Sequence, residues 1–374
     1  MNQTAPNLKA WLTLGRVSNL PTVWTNTLAA ALLASSAGAL APPSSLVWIL
    51  LLAALSLLYL AGMLLNDLLD ADWDQQHHNP RPITLGLVSR QQVLLATALL
   101  LVLAAASLLG LSRLIEQPHW LLGSATLLVG CILGYNLLHK KYAHSVWLMG
   151  ACRSALYLTA AASLAVPPGP IWLCAILLGV YISGLTYLAR QEHRNQLISR
   201  LPLLLMLSPL ALAIYAGSAW FWPVLLLWLG WLGWHYWRNL ANPRQRQVRV
   251  FIGAGLAALP LFDALVLAVA NQPLGSLLCV LVFFSCFLIS SAGSNQHEHG
   301  RYCTGIGGPR HAPRLRERTT AKFHSSTRRN RAAMVASGTG ATCPAPGLQY
   351  LVTLEQPVQA QPQGASTARY RRLE

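Results

Sequence analysis

Acidic residues are scarce in this chain: only seven of its first 293 positions are Asp or Glu. Charged side chains of both signs make up 10% of the 374 residues, against about 25% in soluble domains. That shortage excludes an ordinary water-solvated globule. The seven cysteines form no C-x-x-C pair, and Cys131, Cys152, Cys174, Cys279 and Cys286 fall in apolar stretches. A thiol there behaves as a small hydrophobe, so neither a disulfide framework nor a zinc site is indicated. The regular apolar–polar alternation of a membrane β-barrel is also missing.

What is abundant is apolar sequence, 54% of the residues, with a mean hydropathy of +0.44. Runs of about 20 apolar residues, the length that crosses a hydrocarbon core, recur along the chain. They fall near 22–41, 46–66, 91–111, 119–138, 146–166, 170–189, 200–219, 221–237, 250–271 and 276–293. Lipid offers no partner to open backbone groups, so these runs are expected to be helices. The reading is an all-α integral membrane protein, a polytopic helical bundle.

Lys and Arg set its orientation. Basic connections carry Lys9 and Arg16, then Arg81 and Arg90, then Lys140 and Lys141. Arg190, Arg194 and Arg200 follow, and then Arg238, Arg244, Arg246 and Arg249. Between them, "ASSAGALAPPSS", "VPPGP", "AGSAWFWP" and "NQPLG" carry none, and Arg113 is balanced by Glu116. By the positive-inside rule the N-terminus and the basic connections face the cytoplasm. A multi-pass protein of the cell (inner) membrane is expected.

Residues 1–21 read as a cytoplasmic N-terminal segment and 22–293 as the membrane domain. Residues 294–374 hold 12 Lys/Arg against 4 Asp/Glu and few apolar residues. Such a stretch cannot bury enough apolar area to offset its ordering entropy, so a disordered basic cytoplasmic tail is expected. Its charge suits anionic membrane lipid, and no nucleic-acid-binding module accompanies it. A non-native reading frame stays open as an alternative.

Four of the seven acids crowd into "NDLLDADWD", straight after an apolar run. At about 100° per residue, with Asn66 at zero, Asp70 falls near 40°, Asp74 near 80° and Asp67 near 100°. Asp72 falls near 240°, on the opposite side. Three carboxylates on one stripe repel unless a cation joins them. Hard oxygen donors suit Mg2+, which takes one or two carboxylates together with phosphate oxygens. Arg81 and Arg90, just downstream, could add charge-assisted contacts to the same phosphate.

Here the sequence resembles the UbiA superfamily of intramembrane prenyltransferases. "NDLLDADWD" fits its N-D-x-x-D-x-x-x-D signature, and "RPITLGLVS" looks like its R-P-x-x-x-G-x-V-S. "GYNLLHKK", "LMGACRSALYL" and the opening "GRVSNLPTVWTNTLAA" are similar to further family elements, in order. The resemblance, over roughly residues 10 to 271, implies nine core transmembrane helices around a cavity, with a tenth added at 276–293. It implies Mg2+ held by Asn66, Asp67, Asp70 and Asp74, gripping an isoprenyl diphosphate whose prenyl group passes to a lipophilic, typically aromatic, acceptor. Asp67, Asp70 and Asp74 would be the catalytic carboxylates. Arg81 and Lys140 would contact the diphosphate, and Tyr135 and Asn136 would line the cavity.

One family element is altered. The second acidic motif belongs in "GLTYLARQEHRNQ", which has no aspartate. Glu192 is left as a single metal ligand there, with Arg190 and Arg194 as direct diphosphate contacts. A non-catalytic relative that binds or translocates a polyprenyl lipid or a pathway intermediate is the alternative reading. Within the spans, Arg153 and Asn26 are further cavity candidates, and Arg153 could instead pair with Asp263.

Overall fold

The computed structural model describes residues 8–37, 44–192 and 197–286. Arg194 and the stretch 294–374 lie outside the described residues. All regular structure among the described residues is helical. The first half comprises α1 (Leu8–Leu14), α2 (Leu20–Ala37), α3 (Ser45–Gln76), α4 (Arg90–Ser112), α5 (Pro118–Leu138) and α6 (Val146–Ala162). The second comprises α7 (Gly169–Gln191), α8 (Leu201–Met206), α9 (Phe221–Asn239), α10 (Val248–Ala257), α11 (Leu259–Val269) and α12 (Pro273–Cys286). Among the described residues, five stretches are long and apolar enough to cross a membrane: α3, α4, α5, α7 and the α10–α11 pair from Val248 to Val269.

Proline breaks two of the expected continuous spans. Instead of one helix over 200–219, six-residue α8 passes into a 3-10 helix at Ser208–Tyr215. Pro209 has no N–H for an α-helical ladder and disfavours helical backbone at Ser208. The span at 250–271 is likewise divided at Ala258, just ahead of Pro260 in the first turn of α11.

Small residues let α6 and α7 approach closely. A Cβ placed on Gly150 would lie 2.3 Å from the Gly179 carbonyl oxygen, and one on Gly179 would lie 2.3 Å from Ser154 Oγ. Ser154 Oγ also donates to the Ala175 carbonyl across the interface (2.7 Å). In lipid, helix pairing relies on such close packing and interhelical hydrogen bonds. Loop 77–89 then returns the chain from α3 to α4. Thr84 Oγ1 accepts from Arg81 N (2.8 Å) and donates to the Asn79 carbonyl (2.6 Å). Ser89 and Gln92 close a reciprocal capping box at the start of α4.

Candidate active site

At about 1.5 Å per residue, the 32-residue α3 is about 48 Å long. A hydrocarbon core is about 30 Å thick. The apolar run ends at Leu65, so the stretch from Asn66 to Gln76 projects beyond it. Asp67 and Asp74 are buried, Asp70 is half-buried, and the Asp72 side chain is 75% exposed. Asp72 pairs with Arg90 at the start of α4. Both therefore lie on the outer side, away from the stripe.

A small core beneath the stripe brings a further cation to it. Ala10 and Leu14 of α1 pack with Leu64 and Ala71 of α3 and with Ile83, Val88 and Val93. The chain then turns through Arg16, which adopts left-handed backbone at φ 43°, a conformation that is costly for a residue other than glycine. Tyr59 Oη donates to the Arg16 carbonyl (3.2 Å) and helps hold the turn. Arg16 Nη2 donates to Asn66 Oδ1 (3.3 Å) and lies 3.7 Å from Asp67 Oδ1. Asn66 Nδ2 in turn donates to Asn136 Oδ1 (3.0 Å), and Asn136 Nδ2 donates to the Ile132 carbonyl (3.0 Å). Asn136 thereby fixes the orientation of the Asn66 amide.

On the next turn of α3, Asp70 is met by two residues from the end of α5. Lys140 Nζ is 2.8 Å from Asp70 Oδ1, and His139 Nε2 is 3.3 Å from Asp70 Oδ2. Lys140 also stands over the Trp73 ring at 4.2 Å, and Tyr135 stacks on His139. Burial by itself would push the Asp70 carboxyl up. The His139 and Lys140 hydrogen bonds and charges outweigh it and hold the group below the usual carboxylate range. Asp67 goes the other way: burial raises it, with the Arg16 and Arg81 charges opposing that only in part. Asp74 accepts from Asn79 Nδ2 (2.9 Å), tying the last turn of α3 to the loop that carries Arg81.

The altered second motif is engaged elsewhere. Glu192 forms an ion pair with Arg249 of α10. Arg190 Nη1 donates to the carbonyls of His139 (2.9 Å) and Tyr142 (3.0 Å) and to Ser145 Oγ (3.0 Å). Among the described residues, no three Asp, Glu, His or Cys side chains form a group able to hold a metal ion. Glu192 is therefore not drawn into one cluster with the stripe.

Deeper in the bundle, Arg153 and Asp263 are joined through an intermediary. Arg153 Nη1 donates to Asn26 Oδ1 (3.0 Å) and Nη2 to Thr22 Oγ1 (3.1 Å). Asn26 Nδ2 donates to both Asp263 oxygens, at 2.9 and 2.8 Å. Asn26 and Asp263 are fully buried, as intramembrane ions and their partners should be.

The UbiA prenyltransferase family model matches residues 23–257. The chain belongs to that family. As a UbiA-family member it is a multi-pass integral membrane protein from a family of prenyltransferases. A solved structure of a digeranylgeranylglyceryl phosphate synthase in membranes is similar over 71% of this chain and 98% of that one, at 18% identity and a TM-score of 0.46. No curated protein sequence matches.

Neither Arg16 nor His139 stands out in the sequence as a site residue. Arg16 is one of only two basic residues in its segment, and its spacing from the stripe carries no signal without the packing of α1. His139 directly precedes Lys140 in "LLHKK", which was the available clue.

Proposed function

We propose that this UbiA-family protein transfers a prenyl group from an isoprenyl diphosphate to a lipophilic aromatic acceptor, in an Mg2+-dependent reaction at the cytoplasmic mouth of a nine-span bundle in the inner membrane. The observation that carries this reading is the acidic stripe of α3 ringed by Arg16, Arg81, His139 and Lys140. The donor set fits Mg2+. Asp67 is buried with its nearest cation at 3.7 Å, beyond hydrogen-bond range, so its oxygens keep lone pairs for a metal. A magnesium ion needs only one or two carboxylates when diphosphate and water complete its shell, so a three-ligand protein cluster is not required.

Asn66, Asp67, Asp70 and Asp74 would hold the ion, which when bound supplies positive charge against the oxygens of the leaving group. Lys140 and Arg81 would contact the diphosphate as the allylic C–O bond breaks. Donors fixed before the reaction stabilise the growing charge without reorganising. Lys140 is held between Asp70 and the Trp73 face, and Asn66 is held by Arg16 and Asn136. Tyr135 and Asn136, with Asn26 and Arg153 deeper down, would line the space that keeps water from the prenyl cation while the acceptor attacks.

Prenyl transfer by purified protein given several isoprenyl diphosphates and aromatic acceptors, with and without Mg2+, tests the reading. Glu192, held by Arg249 at the altered motif, favours a second reading, a non-catalytic carrier of a polyprenyl lipid. Diphosphate binding with no product from any acceptor would support that carrier.

A further inference from the structure

The turn that joins α5 to α6 supplies both residues that meet Asp70, and it is held from the altered motif. All three acceptors of Arg190 Nη1 belong to this turn: the His139 carbonyl, the Tyr142 carbonyl and Ser145 Oγ. His139 is the C-terminal cap of α5, where unpaired carbonyls gather and a cation is favoured. Ser145 Oγ donates in turn to the Tyr142 carbonyl (2.8 Å), so its hydroxyl closes the turn while accepting from Arg190. From the same turn, the side chains of His139 and Lys140 reach Asp70. Beyond Arg190, the Glu192–Arg249 pair ties the end of α7 to α10.

We propose that Arg190 is a positioning residue: by clamping the 139–145 turn it sets Lys140 and His139 against Asp70, and so serves the acidic stripe through the backbone instead of gripping diphosphate itself. The inference rests on the prenyl-diphosphate reading above. Lysine is a point charge on a flexible four-carbon stem, so where its backbone begins decides where its ammonium can rest. A misplacement of about 1 Å in such a site costs about a hundredfold in rate. The basic residue that stands where an acidic motif is expected thereby has work that a carboxylate could not do, because only a donor can hold carbonyl oxygens.

Two measurements on the full chain in lipid nanodiscs test this. The first is hydrogen–deuterium exchange at 139–145 without ligand. The second is the Mg2+-dependent affinity for farnesyl thiolodiphosphate, an unreactive analogue. Arg190→Gln is expected to speed exchange across the turn and weaken the analogue about tenfold, and Ser145→Ala to weaken it roughly threefold, as lost charged and neutral hydrogen bonds do. In a Lys140→Gln background, Arg190→Gln should change affinity by less than about twofold, because coupled residues are not additive. A direct phosphate ligand gives the opposite pattern: Ser145→Ala binds like the parent, and the Arg190→Gln loss persists without Lys140. Either result overturns the inference, as does unchanged exchange at 139–145 in a folded Arg190→Gln protein. If Arg190→Gln fails to fold, Ser145→Ala decides by the same two readouts. Failure of the parent chain to bind the analogue would sink the prenyl-diphosphate reading, while the exchange data would still judge the clamp.

Discussion

Lys140 Nζ lies 2.8 Å from Asp70 Oδ1, joining the end of α5 to the polar end of α3 across 70 residues of sequence. The contact places a cation on the carboxylate stripe, and the Trp73 face at 4.2 Å leaves the ammonium little freedom. Lys140→Gln should keep the fold and lower kcat/KM for the isoprenyl diphosphate by about a hundredfold, the scale of one lost oxyanion-type donor. Steady-state kinetics at saturating acceptor would check it.

Asp72→Ala should be nearly silent. Its side chain is 75% exposed and its partner is Arg90, on the outer side of α3. Solvent and salt screen an ion pair this exposed, so neither the melting temperature nor the rate of transfer should change measurably. Thermal unfolding alongside a transfer assay separates this aspartate from the other three.

Asn26→Leu should destabilise the bundle by about 3 kcal/mol, because removing one member of a buried ionic network leaves charge uncompensated. Asn26 bonds to both Arg153 and Asp263, so the variant removes a partner from each at once, leaving Arg153 only its bond to Thr22. Its melting temperature in detergent should fall well below that of the parent. A melting temperature equal to the parent's would mean the network carries no net stability.

Gly179→Ala should weaken the α6–α7 pair. Its new methyl group would meet Ser154 Oγ at 2.3 Å, and overpacking of this kind typically costs about 1–3 kcal/mol. The drop should be visible as reduced monodisperse yield and a lower melting temperature.

Much of the site's face was legible in the sequence, because helical period alone sets Asp72 apart from Asp67, Asp70 and Asp74. The helical class was legible from the apolar runs. The partners were not, since each arrives from far along the chain. Arg16 comes from 50 residues before Asn66, His139 and Lys140 from 69 and 70 residues after Asp70, and Arg249 from 57 after Glu192. Asn26 as the bridge between Arg153 and Asp263 depends on contacts spanning up to 237 residues. The breaks near Pro209 and Pro260 were written in the sequence, but hydropathy averages over a 20-residue window and passes across a single proline. Arg190 read as a phosphate ligand on charge alone, and only the geometry shows its hydrogen bonds to the 139–145 turn.

The most direct test of the central claim is single-turnover transfer by purified protein in nanodiscs, with a radiolabelled isoprenyl diphosphate and a panel of aromatic acceptors. Release of diphosphate matched by prenylated product, lost on chelation of Mg2+ and lost in Asp70→Ala, is the predicted result. Bound isoprenyl diphosphate that yields no product with any acceptor, or equal turnover by Asp70→Ala, would contradict the account.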